Sequence, residues 1–79
     1  MEIFYTFPNT STVIASEQAL LTAKIPVKVR PVPNAIRAGC GLSLCVPQEL
    51  KAVTEETLAA NNLTFSEVYS FQDGRYTIL

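Results

Sequence analysis

Two cysteines are the residues of this sequence best able to do chemistry: Cys40, set between Gly39 and Gly41, and Cys45, five positions on. A thiolate is a strong nucleophile and the reactive form in sulfur transfer. Glycine on both sides removes neighbouring side chains, so a reagent or a partner's sulfur can approach Cys40 closely. Cys45 lies among Leu44 and Val46, where a cysteine behaves as a small hydrophobe. A strand running through both would hold them about 16 Å apart on opposite faces. That is too far for a disulfide, which needs Cα atoms within about 7 Å.

The remaining composition removes most other chemistry. The chain has no histidine, so no Ser-His or Cys-His nucleophile–base pair can form. Two cysteines without histidine cannot close a zinc site within one chain. Asp73 is the single aspartate and falls in a turn; the glutamates form no evident pair. Gly39-Cys40-Gly41 lacks the Gly-Lys-Ser/Thr ending of a phosphate loop. No cofactor and no metal are expected, and a self-sufficient enzyme is not, because no general base accompanies the thiol.

Charge singles out the same region. The net charge is −1, but no acidic residue occurs between Gln18 and Gln48, a stretch holding Lys24, Lys28, Arg30 and Arg37. It carries +4, against −5 elsewhere, so the middle third is locally positive. Arg30 and Arg37 are close to Cys40 in sequence. The alternative is that these cations are scattered on a solvated face.

These residues need a scaffold, and 79 residues make one domain, 1–79. The 48% hydrophobic content marks a globular chain. No apolar run of about 20 residues exists to span a membrane. The start Met1-Glu2-Ile3-Phe4-Tyr5 shows no signal peptide, and a cytoplasmic location with reduced thiols is expected. Glu2 to Phe7 reads as a strand ended by Pro8. Asn9, Thr10 and Ser11 are candidate N-caps for a helix over Thr12 to Ala23. Its apolar residues cover more than one face, so its buried stripe is undefined. After Pro26, Val27 and Val29 alternate with Lys28 and Arg30 in a second strand ended by Pro31 and Pro33. Asn34 to Gly39 reads as a loop. Gly41 to Val46 is a third strand, with Leu42, Leu44 and Val46 on one face and Ser43 and Cys45 on the other. Pro47 opens a second helix, in which Leu50, Val53, Thr54, Thr57 and Leu58 share a face until Asn61-Asn62. Phe65 to Phe71 is a fourth strand. Asp73-Gly74 signals a hairpin into a short edge strand, Tyr76 to Leu79.

Strand, helix, strand, strand, helix, strand is the split βαβ order. The fold class expected is α+β: a ferredoxin-like βαββαβ sandwich, with a four-stranded antiparallel sheet, two helices on one face and a C-terminal hairpin extension. Strands 1 and 3 are then central, adjacent and antiparallel. The start of strand 3 lies beside the start of helix 1, so free N–H groups of Thr12 and its neighbours should point toward Cys40. A helix N-terminus carries about half a positive charge and lowers a thiol's pKa. Some folds of this shape bind RNA through aromatic residues on the central strands. Strand 3 has none, so nucleic acid is not an expected partner.

Several short motifs converge on one family. Phe7-Pro8-Asn9-Thr10, Ile25-Pro26-Val27-Lys28, Pro31-Val32-Pro33 with Ile36, and Gly39-Cys40-Gly41-Leu42 resemble the selenium/sulfur (Se/S) carrier protein-like family of small bacterial domains. The resemblance runs from about residue 2 to residue 71. It implies Cys40 as the carrier thiol, holding a persulfide or a selenium adduct received from a donor such as a cysteine desulfurase. Gly39, Gly41, Arg37, Arg30, Asn9 and Thr10 are the expected supporting residues. Asn34 stands where the family pattern leads one to expect arginine, and Arg37 is the cation positioned to replace it. The hairpin from Gln72 to Leu79 lies outside the resemblance. A second function stays open: a non-catalytic binding or dimerisation module, whose homodimer contact uses Val32, Ile36 and the exposed sheet face carrying Cys45.

Overall fold

The computed structural model describes residues 1–32 and 41–79. In chain order these form β1 (Glu2–Thr6), α1 (Thr10–Thr22), β2 (Lys28–Pro31), β3 (Leu42–Pro47), a single 3-10 turn (Gln48–Leu50), α2 (Lys51–Ala60), β4 (Glu67–Gln72) and β5 (Arg75–Ile78). The strands make one antiparallel sheet in the order β2-β3-β1-β4-β5. The expected α+β class with two helices and an antiparallel sheet is present. The strand count differs: the sheet has five strands, not four. The cause is the Asp73-Gly74 turn, whose two residues both take positive φ (53° and 76°). A two-residue turn of that kind matches the twist of its flanking strands, so β5 continues the same sheet. Leu79 N–H closes the ladder onto the Val68 carbonyl at 2.9 Å.

Both helices are fixed by local signals. Asn9 is extended (φ −157°, ψ 165°), and its side-chain oxygen accepts from the Thr12 amide and hydroxyl, each at 2.8 Å. Helix α1 therefore begins two residues before the expected Thr12. Lys24 (φ 63°) and Asn62 (φ 57°) take the left-handed conformation just after each helix. Ile25 N–H then bonds the Leu20 carbonyl and Leu63 N–H the Leu58 carbonyl, both at 2.9 Å. These are Schellman endings, and the residue after each, Ile25 or Leu63, turns into the core.

The core lies between the helices and one sheet face. Ile3, Tyr5, Leu44 and Val46 from the central strands pack with Phe7, Val13, Leu20, Ile25 and Leu58. The strand alternation read from sequence holds: Leu44 and Val46 face the helices, while Ser43 and Cys45 face the other way. Helix α1 buries Val13, Ser16 and Leu20. Helix α2 buries Thr54 and Leu58, while Val53, expected on that face, is 42% exposed. Pro47 ends β3 instead of opening α2, and the 3-10 turn intervenes. Among the described residues, no helix is long and apolar enough to cross a membrane.

Candidate functional site

The antiparallel register of β1 and β3 pairs Thr6 with Ser43. The start of β3 thus stands beside the end of β1, four residues before α1 begins. Asn9, Thr10 and Gly41, three of the expected supporting residues, are all exposed at this rim. Gly41 has φ 74°, and nothing lies within 4 Å of where a β-carbon would sit. Its glycine is therefore required by backbone conformation, and the space above it is open. The Gly41 carbonyl accepts from Val32 N–H at 2.9 Å, one step beyond the β2–β3 ladder. This bond links the two described residues that flank positions 33–40 in the sequence. Cys40, Gly39 and Arg37, like Ile36 and the loop from Asn34, lie outside the described residues.

One electrostatic expectation is corrected. The Thr12 amide is not free to face an anion, because Asn9 caps it at 2.8 Å. The amides of Thr10 and Ser11, ahead of it in the first turn, have no partner within the helix. Arg30 sits on β2 opposite Ser43, whose hydroxyl donates to the Arg30 carbonyl at 3.0 Å. Its side chain is exposed, and its guanidinium makes no ion pair with a described residue.

Cys45 is the opposite of a reactive thiol. It is 2% exposed, and its S–H donates to a Glu2 carboxylate oxygen at 3.1 Å. Burial, then the bond to Glu2 and the charge of Glu2, push the thiol up to about 12, although Arg30 and Lys28 pull the other way. The reading of Cys45 as a small buried hydrophobe holds, but the expectation that its sheet face is exposed does not, since Ser43, Thr6 and Phe4 around it are also 1–4% exposed; the carboxylate that accepts its S–H comes from 43 residues away.

Two further clusters were not read from sequence. The buried phenol of Tyr5 donates to Glu55 at 3.0 Å, and Glu55 pairs with Lys51 at 2.8 Å. Burial and this carboxylate hold the Tyr5 phenol well above its ordinary range. On the helix-free face, Phe4 meets Phe71 and Tyr76 edge-on, with ring centroids 6.1 and 5.4 Å away. Period-2 alternation in β1, β4 and β5 could have found this group. Among the described residues, no cluster of histidine, cysteine, aspartate and glutamate could hold a metal ion.

Searches of curated proteins and of solved structures find no match. A family model does match, over residues 2–70, and its description is "Putative Se/S carrier protein-like". That span holds the proline-spaced segments, the Cys40 motif and both helices, and it ends inside β4 before the hairpin. The chain belongs to this Se/S carrier protein-like family.

Proposed function

We propose that this chain carries sulfur or selenium, with Cys40 as the residue that takes the atom up and hands it on. The observation that carries this reading is the family match over residues 2–70, which spans Cys40 and both flanking glycines. The open space above Gly41 and the exposed first turn of α1 beside it are consistent with a thiol approached from outside. On this reading the strand order β2-β3-β1-β4 is the ferredoxin-like split βαβ arrangement, with β5 added at the edge.

The chemistry is a thiol–persulfide exchange. The Cys40 thiolate attacks the outer sulfur of a persulfide on a donor of the cysteine desulfurase type. A new S–S bond forms at Cys40 as the donor's S–S bond breaks, and the electron pair leaves on the donor thiolate. No oxidant, cofactor or metal enters. Arg37, Arg30 and the α1 start, where Asn9 and Thr10 stand, favour the thiolate over the thiol. Such a thiol needs a reducing compartment, so this reading goes with a cytoplasmic location.

Selective alkylation tests the proposal. With limiting iodoacetamide near neutral pH, Cys40 is expected to label faster than free cysteine, with Cys45 unmodified. A Cys40 that labels no faster than free cysteine contradicts it.

A further inference from the structure

We propose that the β5 edge of the sheet is where two copies of this chain join, strand antiparallel to strand about a two-fold axis through Thr77, into one continuous sheet. The inference rests on the hairpin alone and is independent of Cys40 chemistry.

β5 ends the sheet order, so one side of its backbone has no neighbouring strand. Leu79 N–H bonds the Val68 carbonyl, and alternation along an antiparallel ladder turns the backbone groups of Thr77 and Arg75 toward β4 as well. Those of Tyr76 and Ile78 point outward. The side chains along this edge are open too: Arg75, Thr77, Ile78 and Leu79 are exposed and Tyr76 is half-buried. At 59% each, Ile78 and Leu79 are the most exposed large apolar side chains among the described residues. Thr77 pairs with Ser70, which pairs with the core residue Ile3, so Thr77 stands on the helix side of the sheet. Its exposure shows that neither helix covers this edge.

The two edges of the sheet differ. Val32 N–H bonds the Gly41 carbonyl, so the outward positions of β2 are Val29 and Pro31. Pro31 has no N–H to offer, and Lys28 and Arg30 add charge; a short, charged edge with a proline resists pairing. β5 has no proline, and its charge is Arg75 alone. Pairing β5 with the β2 of a further copy would also build an open filament, whereas pairing β5 with β5 closes at two copies.

Only residues whose backbone groups point outward can bond across the new seam, and this restricts the register. With the axis at Thr77, Tyr76 lies opposite Ile78 of the other copy, twice over, and each such pair closes two backbone hydrogen bonds. An axis at Tyr76 sets Ile78 against Gly74, which is inside the turn at φ 76°. An axis at Ile78 carries Tyr76 past the end of the other copy's β5. Side chains agree with the Thr77 axis. Tyr76 meets Ile78, an aromatic against a β-branched residue, and Thr77 meets Thr77, both pairings that stabilise antiparallel strands. Arg75 lies opposite Leu79, so like charges do not meet. The rings of Phe4, Phe71 and Tyr76 then continue into Ile78 of the second copy on the helix-free face. From Arg75 to Leu79 the seam is about 14 Å long, which puts the contact among small, reversible interfaces.

Sedimentation of the full chain under reducing conditions, up to near-millimolar concentration, tests this. The wild type is expected to pass reversibly from monomer to dimer and to stop there. Because Thr77 meets its own copy, Thr77→Lys and Thr77→Glu should each weaken the dimer at least tenfold by opposing like charges. An equimolar mixture of the two should recover association as a mixed dimer, and that recovery shows both variants folded. Ile78→Pro should abolish the dimer while keeping the far-ultraviolet spectrum of the wild type, since it removes an outward N–H that the β4 ladder does not use. A wild type that stays monomeric throughout overturns the proposal, as does a mixture that fails to associate. So does growth beyond the dimer, or a dimer that survives Ile78→Pro.

Discussion

Replacing Cys40 with serine leaves Cys45 as the one thiol in the chain, and its rate of reaction with a small disulfide reagent can be worked out in advance. Cys45 is pushed up to about 12 by burial and by its bond to Glu2. At about pH 8, roughly one such thiol in ten thousand is ionised, against about one in four for an ordinary cysteine with pKa near 8.5. That deficit is about 2,500-fold. Greater basicity makes the rare thiolate more nucleophilic, and a Brønsted slope of about 0.45 restores roughly 40-fold. Cys45 should therefore react about 60-fold more slowly than free cysteine on ionisation grounds, and more slowly still for its 2% exposure. The assay is absorbance from the released aromatic thiol, followed from neutral pH upward. The rate should still climb tenfold per pH step where free cysteine has levelled off. Adding Glu2→Gln removes the carboxylate that accepts the S–H, so the thiol falls and the rate rises. Labelling of Cys40→Ser at the rate of free cysteine, or a plateau near the ordinary thiol range, refutes the reasoning.

Other consequences concern stability. Asn9→Ala removes the cap on Thr12 and should cost about 1 kcal/mol, a fall of about 4–8 °C in Tm, while Asn9→Asp keeps most of it. Leu58→Ala should cost about 2–5 kcal/mol by leaving a cavity at a site 1% exposed, whereas Val53→Ala, 42% exposed, should stay within about 0.5 kcal/mol in urea unfolding. The Tyr5 phenol is held above its unfolded value by burial and by Glu55. Its stabilisation is thus complete below about pH 10 and is lost as pH rises past that point, when the unfolded phenol ionises first. Tyr5→Phe should flatten that alkaline loss in unfolding titrations.

The element order was legible because its punctuation is local. Pro8, Pro26, Asn61-Asn62 and Asp73-Gly74 each break or turn the chain by their own backbone chemistry. The faces of β3 were legible because alternation in Leu42 to Val46 is strict. The buried side of α1 was not, because Ser16 sits in it while Ile14 and Leu21 are 55% and 50% exposed. Hydrophobicity alone points such a helix the wrong way. The fate of the Thr12 amide turned on the side chain of Asn9, which sequence offered only as one of three caps. The aromatic group of Phe4, Phe71 and Tyr76 is not announced locally, because its members come from β1, β4 and β5, three segments far apart in the chain. The Cys45–Glu2 contact spans the chain, so no local pattern announces it. Of the candidate site, Asn9, Thr10 and Gly41 are exposed where the start of β3 stands beside the end of β1, Arg30 lies on β2 opposite Ser43, and Cys40 itself lies outside the described residues.

The central claim is that one named sulfur accepts another. Intact-mass analysis after incubation with a cysteine desulfurase and cysteine reads this directly. The wild type and Cys45→Ser should each gain the mass of a single sulfur atom, removable by reductant, and Cys40→Ser should gain none. A wild type that gains nothing, or a Cys40→Ser variant that gains as much, contradicts the account.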